Sequence, residues 1–119
     1  MPYVDGFVLP VPKKNLAAYR RMARKAGKVW LEYGALQFRE CVGDDLAVKG
    51  VMPFAGTVKM KPGETVMFSY IVYASRKERD RIIGKVMLDK RLAKMSDPKA
   101  MPFDSERMVY GGFKVLVDL

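Results

Sequence analysis

The stretch TVMFSYIVYASRKE, residues 65–78, contains two signals that together decide the fold. Residues 65–73 are mostly β-branched or aromatic and carry apolar side chains on both faces, which is typical of a strand. Ser75-Arg76-Lys77-Glu78 matches a capping box, in which the serine and the glutamate satisfy each other's free backbone amides at the start of a helix. We therefore expect a helix that continues to Ser96-Asp97-Pro98, where the proline stops it.

The first part of the chain repeats this order of elements. Residues 3–11 form a β-branched and aromatic run that prolines end, which predicts a first strand. In residues 13–33 apolar side chains recur at spacings of three and four, the pattern of an amphipathic helix. Gly34 follows where helices commonly end, and the alternating residues 35–42 predict a second strand.

Two segments remain. Residues 43–64 contain turn signals, and Thr57–Lys61 is expected to form a short strand there. Residues 107–117 predict the last strand. The chain thus follows the order β-α-β-β-α-β, which predicts a ferredoxin-like α+β fold: an antiparallel sheet of order 4-1-3-2 with both helices on one face.

In this topology the first and last strands are neighbours. The two similar phrases YVDGF (residues 3–7) and YGGF (residues 110–113) would then lie side by side and run in opposite directions. Their glycines permit a bulge or a close approach of the two backbones.

The predicted sheet is apolar on both faces, although two helices cover only one. In the third strand Val66, Phe68, Tyr70 and Val72 form one face, opposite Met67, Ile71 and Tyr73. Large apolar patches are rarely left exposed. We therefore expect a homodimer through the open sheet face, which gives a dimeric α/β barrel with a closed interior.

The composition limits the chemistry that this chain can perform. At 119 residues, half of them hydrophobic, we expect a single domain spanning residues 1–119. The chain has no histidine, which excludes histidine-based catalysis and histidine metal sites, so we expect no metal and no cofactor. With one cysteine, no signal-peptide pattern and no apolar run near the ~18 residues of a membrane span, we expect a cytoplasmic protein without membrane contact.

Five polar residues are candidates for a small-ligand site in a cavity of the barrel: Asp5, Tyr70, Asp104, Arg107 and Tyr110. Asp5 lies between Tyr3 and Phe7 and on the same side of the strand. A carboxylate among aromatic side chains would have a raised pKa and could act as a general acid or base. Alternatively, Asp5 is a buried polar group that Tyr110 or Arg107 satisfies by a hydrogen bond.

The other candidates also have structural alternatives. Asp104 and Arg107 follow Met101-Pro102-Phe103, where they could hold a polar substrate; alternatively, Asp104 starts a turn and pairs with Arg107 while Phe103 plugs the core. Cys41 would need a basic neighbour to become a reactive thiolate, and the alternative is a small apolar filler.

The net charge of +9 suggests a second class of function. Most of the 22 basic residues fall in the two predicted helices, where we expect them on the outer faces, away from the sheet. Such faces could bind nucleic acid or another anionic partner, or could simply be solvated. The third strand lacks the basic residue and the glycines of an RNA-recognition motif, so no motif supports nucleic-acid binding.

Several motifs resemble those of the YbaA-like family, small bacterial proteins of unknown function. They include Tyr3-Val4-Asp5-Gly6-Phe7, Met101-Pro102-Phe103-Asp104, Arg107-Met108 and Tyr110-Gly111-Gly112-Phe113. The resemblance covers nearly the whole chain and implies a ferredoxin-like, dimeric α/β barrel. It implies no activity and no catalytic residues. We therefore expect a small-ligand binding protein, with a cofactor-free enzyme of this barrel type as an alternative.

Overall fold

The computed structural model describes residues 1–93 and 101–119, which form a four-stranded antiparallel sheet with the two long helices against one face. The strands are β1 (Tyr3–Pro12), β2 (Gln37–Val42), β3 (Glu64–Tyr73) and β4 (Val109–Lys114). Their spatial order is β2-β3-β1-β4, which is the order 4-1-3-2 counted from the other edge. The predicted ferredoxin-like topology is confirmed.

The helices are α1 (Leu16–Glu32), α2 (Phe54–Thr57), α3 (Arg76–Met87) and α4 (Lys90–Ala93). Half of the predicted capping box of α3 is present: the Ser75 hydroxyl accepts a hydrogen bond of 3.1 Å from the Glu78 amide, whereas the Glu78 carboxylate accepts from Arg81. The helix predicted to continue to Ser96-Asp97-Pro98 is interrupted, because α3 ends at Met87 and α4 begins at Lys90. The predicted stop itself lies outside the described residues. Within the two described ranges, no helix combines the length and the apolar character needed to span a membrane.

The pleat of the strands separates a helix-facing side of the sheet from an open side. In register, Asp5 of β1 pairs with Ile71 of β3, and Ile71 pairs with Phe38 of β2. The helix-facing side carries Tyr3, Asp5, Phe7, Leu9, Val11, Met67, Ser69, Ile71 and Tyr73. The open side carries Val4, Val8, Val66, Phe68, Tyr70, Val72, Val109 and Phe113.

The connection between β2 and β3 covers part of the open side. The short strand predicted for Thr57–Lys61 is wrong, because Thr57 ends α2 and Lys59 adopts a positive φ of 53°. Phe54 of α2 packs edge-on against Phe68, with ring centroids 6.1 Å apart, and Val58 is only 2% exposed. Phe54 and Val58 are four residues apart, so they lie on the same face of this turn.

The core on the helix-facing side consists of two clusters. One contains Val29, Ala35, Ile71, Tyr73, Ile82 and Val86, and the other contains Leu9, Val11, Tyr19, Ala23 and Met67. Phe7, which is partly buried, packs against both clusters and therefore lies between them.

Candidate functional site

A half-open cavity of about 460 Å³, here called the interior cavity, lies between α1, α3 and the helix-facing side of the sheet. Its walls are mainly apolar and include Phe7, Trp30, Ile71 and Ile83. Phe103, which precedes β4, closes one side and packs edge-on against Tyr19, with ring centroids 5.7 Å apart. This volume is in the range of cavities that hold small molecules.

The first polar group at the cavity is the carboxylate of Asp5, which is 1% exposed. Its Oδ1 accepts a hydrogen bond of 3.0 Å from Arg79 Nη1, and its Oδ2 accepts one of 3.1 Å from the Tyr73 hydroxyl. Trp30 Nε1 donates to the same tyrosine oxygen at 3.1 Å. Asp5 is thus held as a buried, satisfied ion pair.

Arg79, at the start of α3, connects Asp5 to β4. Its Nη1 also donates to the Tyr110 hydroxyl at 2.8 Å, and its guanidinium lies 4.9 Å from the centroid of the Tyr3 ring. Its Nε lies 2.8 Å from a carboxylate oxygen of Asp80 but donates no hydrogen bond to it. A Cβ at Gly112 would collide with the Tyr3 ring, so glycine is required there. The YGGF phrase thereby makes room for this cluster.

Tyr110 completes this end of the cavity. Its ring packs against Phe7 with centroids 4.9 Å apart, and it is 47% exposed. Burial, and then the neighbouring Asp5 carboxylate, raise the pKa of Tyr110. The hydroxyl therefore stays protonated at neutral pH while it accepts from Arg79.

The second polar group is the carboxylate of Glu40 on β2. Its Oε1 accepts a hydrogen bond of 2.7 Å from the Tyr19 hydroxyl and another from the Ser69 hydroxyl. Burial raises the pKa of Glu40, although the hydroxyls of Ser69 and Tyr19 act in the opposite direction. Its Oε2 has no hydrogen-bond partner in the part of the chain that the structure describes. An acceptor oxygen is therefore available at an apolar cavity.

The structure brings two of the five predicted site residues together. Asp5 and Tyr110 both line the interior cavity. Tyr70 lies on the open side, where it pairs with Gly6 and Arg39, and so faces away from Asp5.

Asp104 and Arg107 form a separate ionic cluster. Arg107 Nε donates to Asp104 at 3.0 Å, and its two terminal nitrogens donate to the two carboxylate oxygens of Glu64 at 2.7 Å each. Arg107 was one of the two partners expected for Asp5. That expectation is wrong, because Arg107 pairs with Glu64 instead. These hydrogen bonds from Arg107 lower the pKa of Glu64 to about 2.

Sequence reasoning missed Arg79 and Glu40. Arg79 was expected on an outer helix face, but its side chain is only 13% exposed and contacts the sheet. Its spacing of three and four from Ile82 and Ile83 places it on the apolar face of α3, which could have identified it. Glu40 alternates with Phe38 and Val42, so a charged residue on an apolar strand face was the corresponding signal.

Comparison with known proteins identifies relatives over nearly the whole chain. The model of a family described as "Protein of unknown function (DUF1428)" matches residues 2–105. Uncharacterized protein YbaA of Escherichia coli (strain K12) is 43% identical over 118 residues, which cover 99% of each chain. Uncharacterized protein YbaA of Shigella flexneri matches with the same identity and coverage.

Solved structures share the fold at low sequence identity. A putative antibiotic biosynthesis monooxygenase from Nitrosomonas europaea matches with a TM-score of 0.63 and 15% identity, over 97% of this chain and 90% of that one. A NIPSNAP family protein from Agrobacterium tumefaciens str. C58 matches with a TM-score of 0.59 and 14% identity, over 96% and 92% of the two chains. These structures agree with the ferredoxin-like architecture alone, whereas the family match carries the membership: the chain belongs to the DUF1428 family of proteins of unknown function.

Proposed function

We propose that the protein binds a small, mainly apolar ligand in the interior cavity, and that a hydroxyl or amine of this ligand donates a hydrogen bond to Glu40. The observation that carries the proposal is the free Oε2 of Glu40 at an apolar cavity. This oxygen is not among the buried unpartnered atoms, so it is open to the cavity, where a ligand hydroxyl or amine can take the place of water as its donor.

The surroundings of Glu40 support this assignment. Tyr19 and Ser69 both donate to Oε1 and so fix the carboxylate with its other oxygen free. Asp5, in contrast, has hydrogen bonds to both oxygens, so it is a poorer acceptor for a ligand. Its role in the proposal is to hold Arg79 and, through Arg79, Tyr110 at the end of the cavity.

Two aromatic probes of nearly equal shape test the proposal. 1-Naphthol can donate a hydrogen bond, whereas 1-methoxynaphthalene cannot. We expect isothermal titration calorimetry to show that the native protein binds 1-naphthol up to about tenfold more tightly, because one hydrogen bond contributes about 0.5–1.5 kcal/mol and about 1.4 kcal/mol is a factor of ten. Equal affinities for the two probes would contradict the proposal.

The Glu40→Gln variant sharpens this test. Tyr19 and Ser69 would bind the amide oxygen, so the amide NH₂ would replace Oε2 as a donor. We expect the preference for 1-naphthol to disappear in this variant. Glu106→Gln, at an exposed glutamate outside the cavity, is the matched control and should keep the preference. If Glu40→Gln keeps it as well, Glu40 is not the acceptor.

We further propose that a second copy of the chain covers the open side of the sheet, as the pattern of the strands predicts. The observations that support a homodimer are exposed apolar side chains on that side: Phe113 is 61% exposed, and Phe68 and Val109 are each 46% exposed. A cytoplasmic location is proposed on the free, exposed thiol of Cys41, which suits a reducing compartment.

A further inference from the structure

A second concave surface, here called the α1 groove, lies between α1 and the edge strand β2. It encloses about 500 Å³. Its floor includes Phe38, Val42 and Met67, and Leu31 lies at its α1 side. Val42 is 55% exposed and Leu31 is 47% exposed, so the groove presents apolar surface to solvent. Exposed apolar grooves of this kind mark binding sites.

One rim of the α1 groove is a row of cations. Arg20, Arg24 and Lys28 follow one another at intervals of four residues, line the groove and are exposed. Within residues 1–93 and 101–119, no acidic side chain forms an ion pair with any of the three. Like charges four residues apart destabilise a helix. A bound anion would remove that repulsion.

The acids near this rim do not supply the missing charge. The one acidic residue of α1, Glu32, pairs with Arg91 at 2.8 Å. Glu40, which also lines the groove, accepts hydrogen bonds from the hydroxyls of Tyr19 and Ser69 at Oε1 and, among the described residues, forms no ion pair with the three rim cations. An anion from outside the chain would therefore meet three cations that no described acidic side chain neutralises.

We propose that the α1 groove binds a fatty-acid-like alkyl carboxylate, with its chain on the floor and its carboxylate between Arg24 and Lys28. The combination of an apolar floor with cations confined to the rim matches an amphiphile with one anionic end. A nucleic acid would need a polar, basic track along its whole length. A second copy of this chain, with a net charge of +9, would bring further positive charge to the rim.

The α1 groove is distinct from the interior cavity, although both share part of their lining. Tyr19, Ala23, Phe38 and Glu40 face both, since α1 has one space on each side. The two proposals rest on different atoms: the cavity ligand on Glu40 Oε2, and the groove ligand on the rim cations. Each can therefore fail without the other.

Titration of the full chain with sodium octanoate at about 0.15 M salt tests the proposal, because this salt concentration screens long-range attraction. We expect octanoate to bind more tightly than 1-octanol, which lacks the charge. The double variant R24Q/K28Q should weaken octanoate binding about tenfold, which corresponds to about 1.4 kcal/mol, because it removes two exposed ionic contacts to the carboxylate.

The double variant R21Q/K25Q is the matched control, because it removes one arginine and one lysine at the same spacing from α1 without touching the groove. It should leave octanoate binding unchanged. A second test is Val42→Asp, which puts a carboxylate on the exposed floor and should abolish octanoate binding while preserving the circular dichroism spectrum.

Four results would overturn the proposal. The first is that octanoate does not bind, and the second is that 1-octanol binds as tightly as octanoate. The third is that R21Q/K25Q loses as much affinity for octanoate as R24Q/K28Q does. The fourth is that poly(U) binds and that R24Q/K28Q removes this binding while octanoate binding remains, which would assign the rim to nucleic acid.

Discussion

At the scale of single residues, the burial of the ion pair between Asp5 and Arg79 is unusual. Both partners are largely shielded from water, and each also contacts aromatic side chains: Tyr73 donates to Asp5, and Arg79 lies over Tyr3. A buried ion pair adds little net stability over apolar residues of the same size. Loss of one partner alone, however, leaves a buried charge without compensation.

We expect Arg79→Met to lower the free energy of unfolding by about 3–5 kcal/mol, because Asp5 would stay buried without its cation. Urea denaturation followed by circular dichroism measures this change. Arg76→Met, at an exposed position of the same helix, is the control and should stay within about 0.5 kcal/mol of the native protein. Equal stabilities of Arg79→Met and Arg76→Met would show that Arg79 is not a buried partner of Asp5.

The candidate site could be predicted from the sequence where strand order alone determines proximity. Asp5 and Tyr110 lie on neighbouring antiparallel strands, so their meeting follows from the predicted order 4-1-3-2. The position of Arg79 depends on how α3 is rotated against the sheet. A net charge of +9 made every helical cation look like part of a solvated face. The role of Glu40 depends on Tyr19 and Ser69, which hold its carboxylate from α1 and β3, and the sequence pattern of β2 does not show these contacts.

At the scale of elements, the regular segments were predicted well because their periodicity is strong. The capping box at Ser75 and the spacing in α1 each place a helix by local chemistry. The connection at residues 43–63 has no such period. Its turn α2 is held by the contact of Phe54 with Phe68 on the open side of the sheet and by the burial of Val58. A short β-branched segment does not reveal such tertiary packing.

Arg107 connects the segment before β4 to the rest of the fold. It donates to the Lys59 carbonyl at 3.1 Å and to both oxygens of Glu64 at the start of β3. Asn15 Nδ2 donates to the Pro102 carbonyl at 3.1 Å in the same segment. These hydrogen bonds hold Phe103 in place at the cavity, so the ionic cluster supports the site without being part of it.

The ion pair between Arg107 and Glu64 predicts a specific dependence of stability on pH. Arg107 lowers the pKa of Glu64 from 4.5 to about 2 in the folded protein. A carboxyl whose pKa is lowered by folding stabilises the folded protein at pH values above its unfolded-state pKa. This contribution disappears as the pH falls from about 5 to about 2. We expect Arg107→Gln to flatten the fall of the unfolding free energy over that range. Arg21→Gln, which removes an exposed arginine elsewhere, should leave this pH dependence unchanged. If the unfolding free energy falls with the same slope in both variants, the stabilising ion pair between Arg107 and Glu64 is contradicted.

At the scale of the whole molecule, the two sides of the sheet differ in what covers them. The helices bury the helix-facing side, and the connection with α2 shields only the part of the open side around Phe68. Phe113 covers Gly6 and Gly111: its ring would lie about 3.5 Å from a Cβ atom placed on either glycine. The Phe113 side chain itself remains exposed. The apolar surface that remains is continuous across β1, β3 and β4.

If a second copy covers this surface, Phe113→Asp should convert the dimer to a monomer, because each copy would bury a charged aspartate in an apolar interface. Sedimentation velocity should give twice the chain mass of 13.5 kDa for the native protein and the chain mass itself for the variant. Leu88→Asp, at a leucine that is 83% exposed at the end of α3, is the control and should remain dimeric. A dimer with an association free energy of about −8 kcal/mol has a Kd of about 1 µM. A native protein that sediments as a monomer at about 50 µM would therefore exclude this role for the open side.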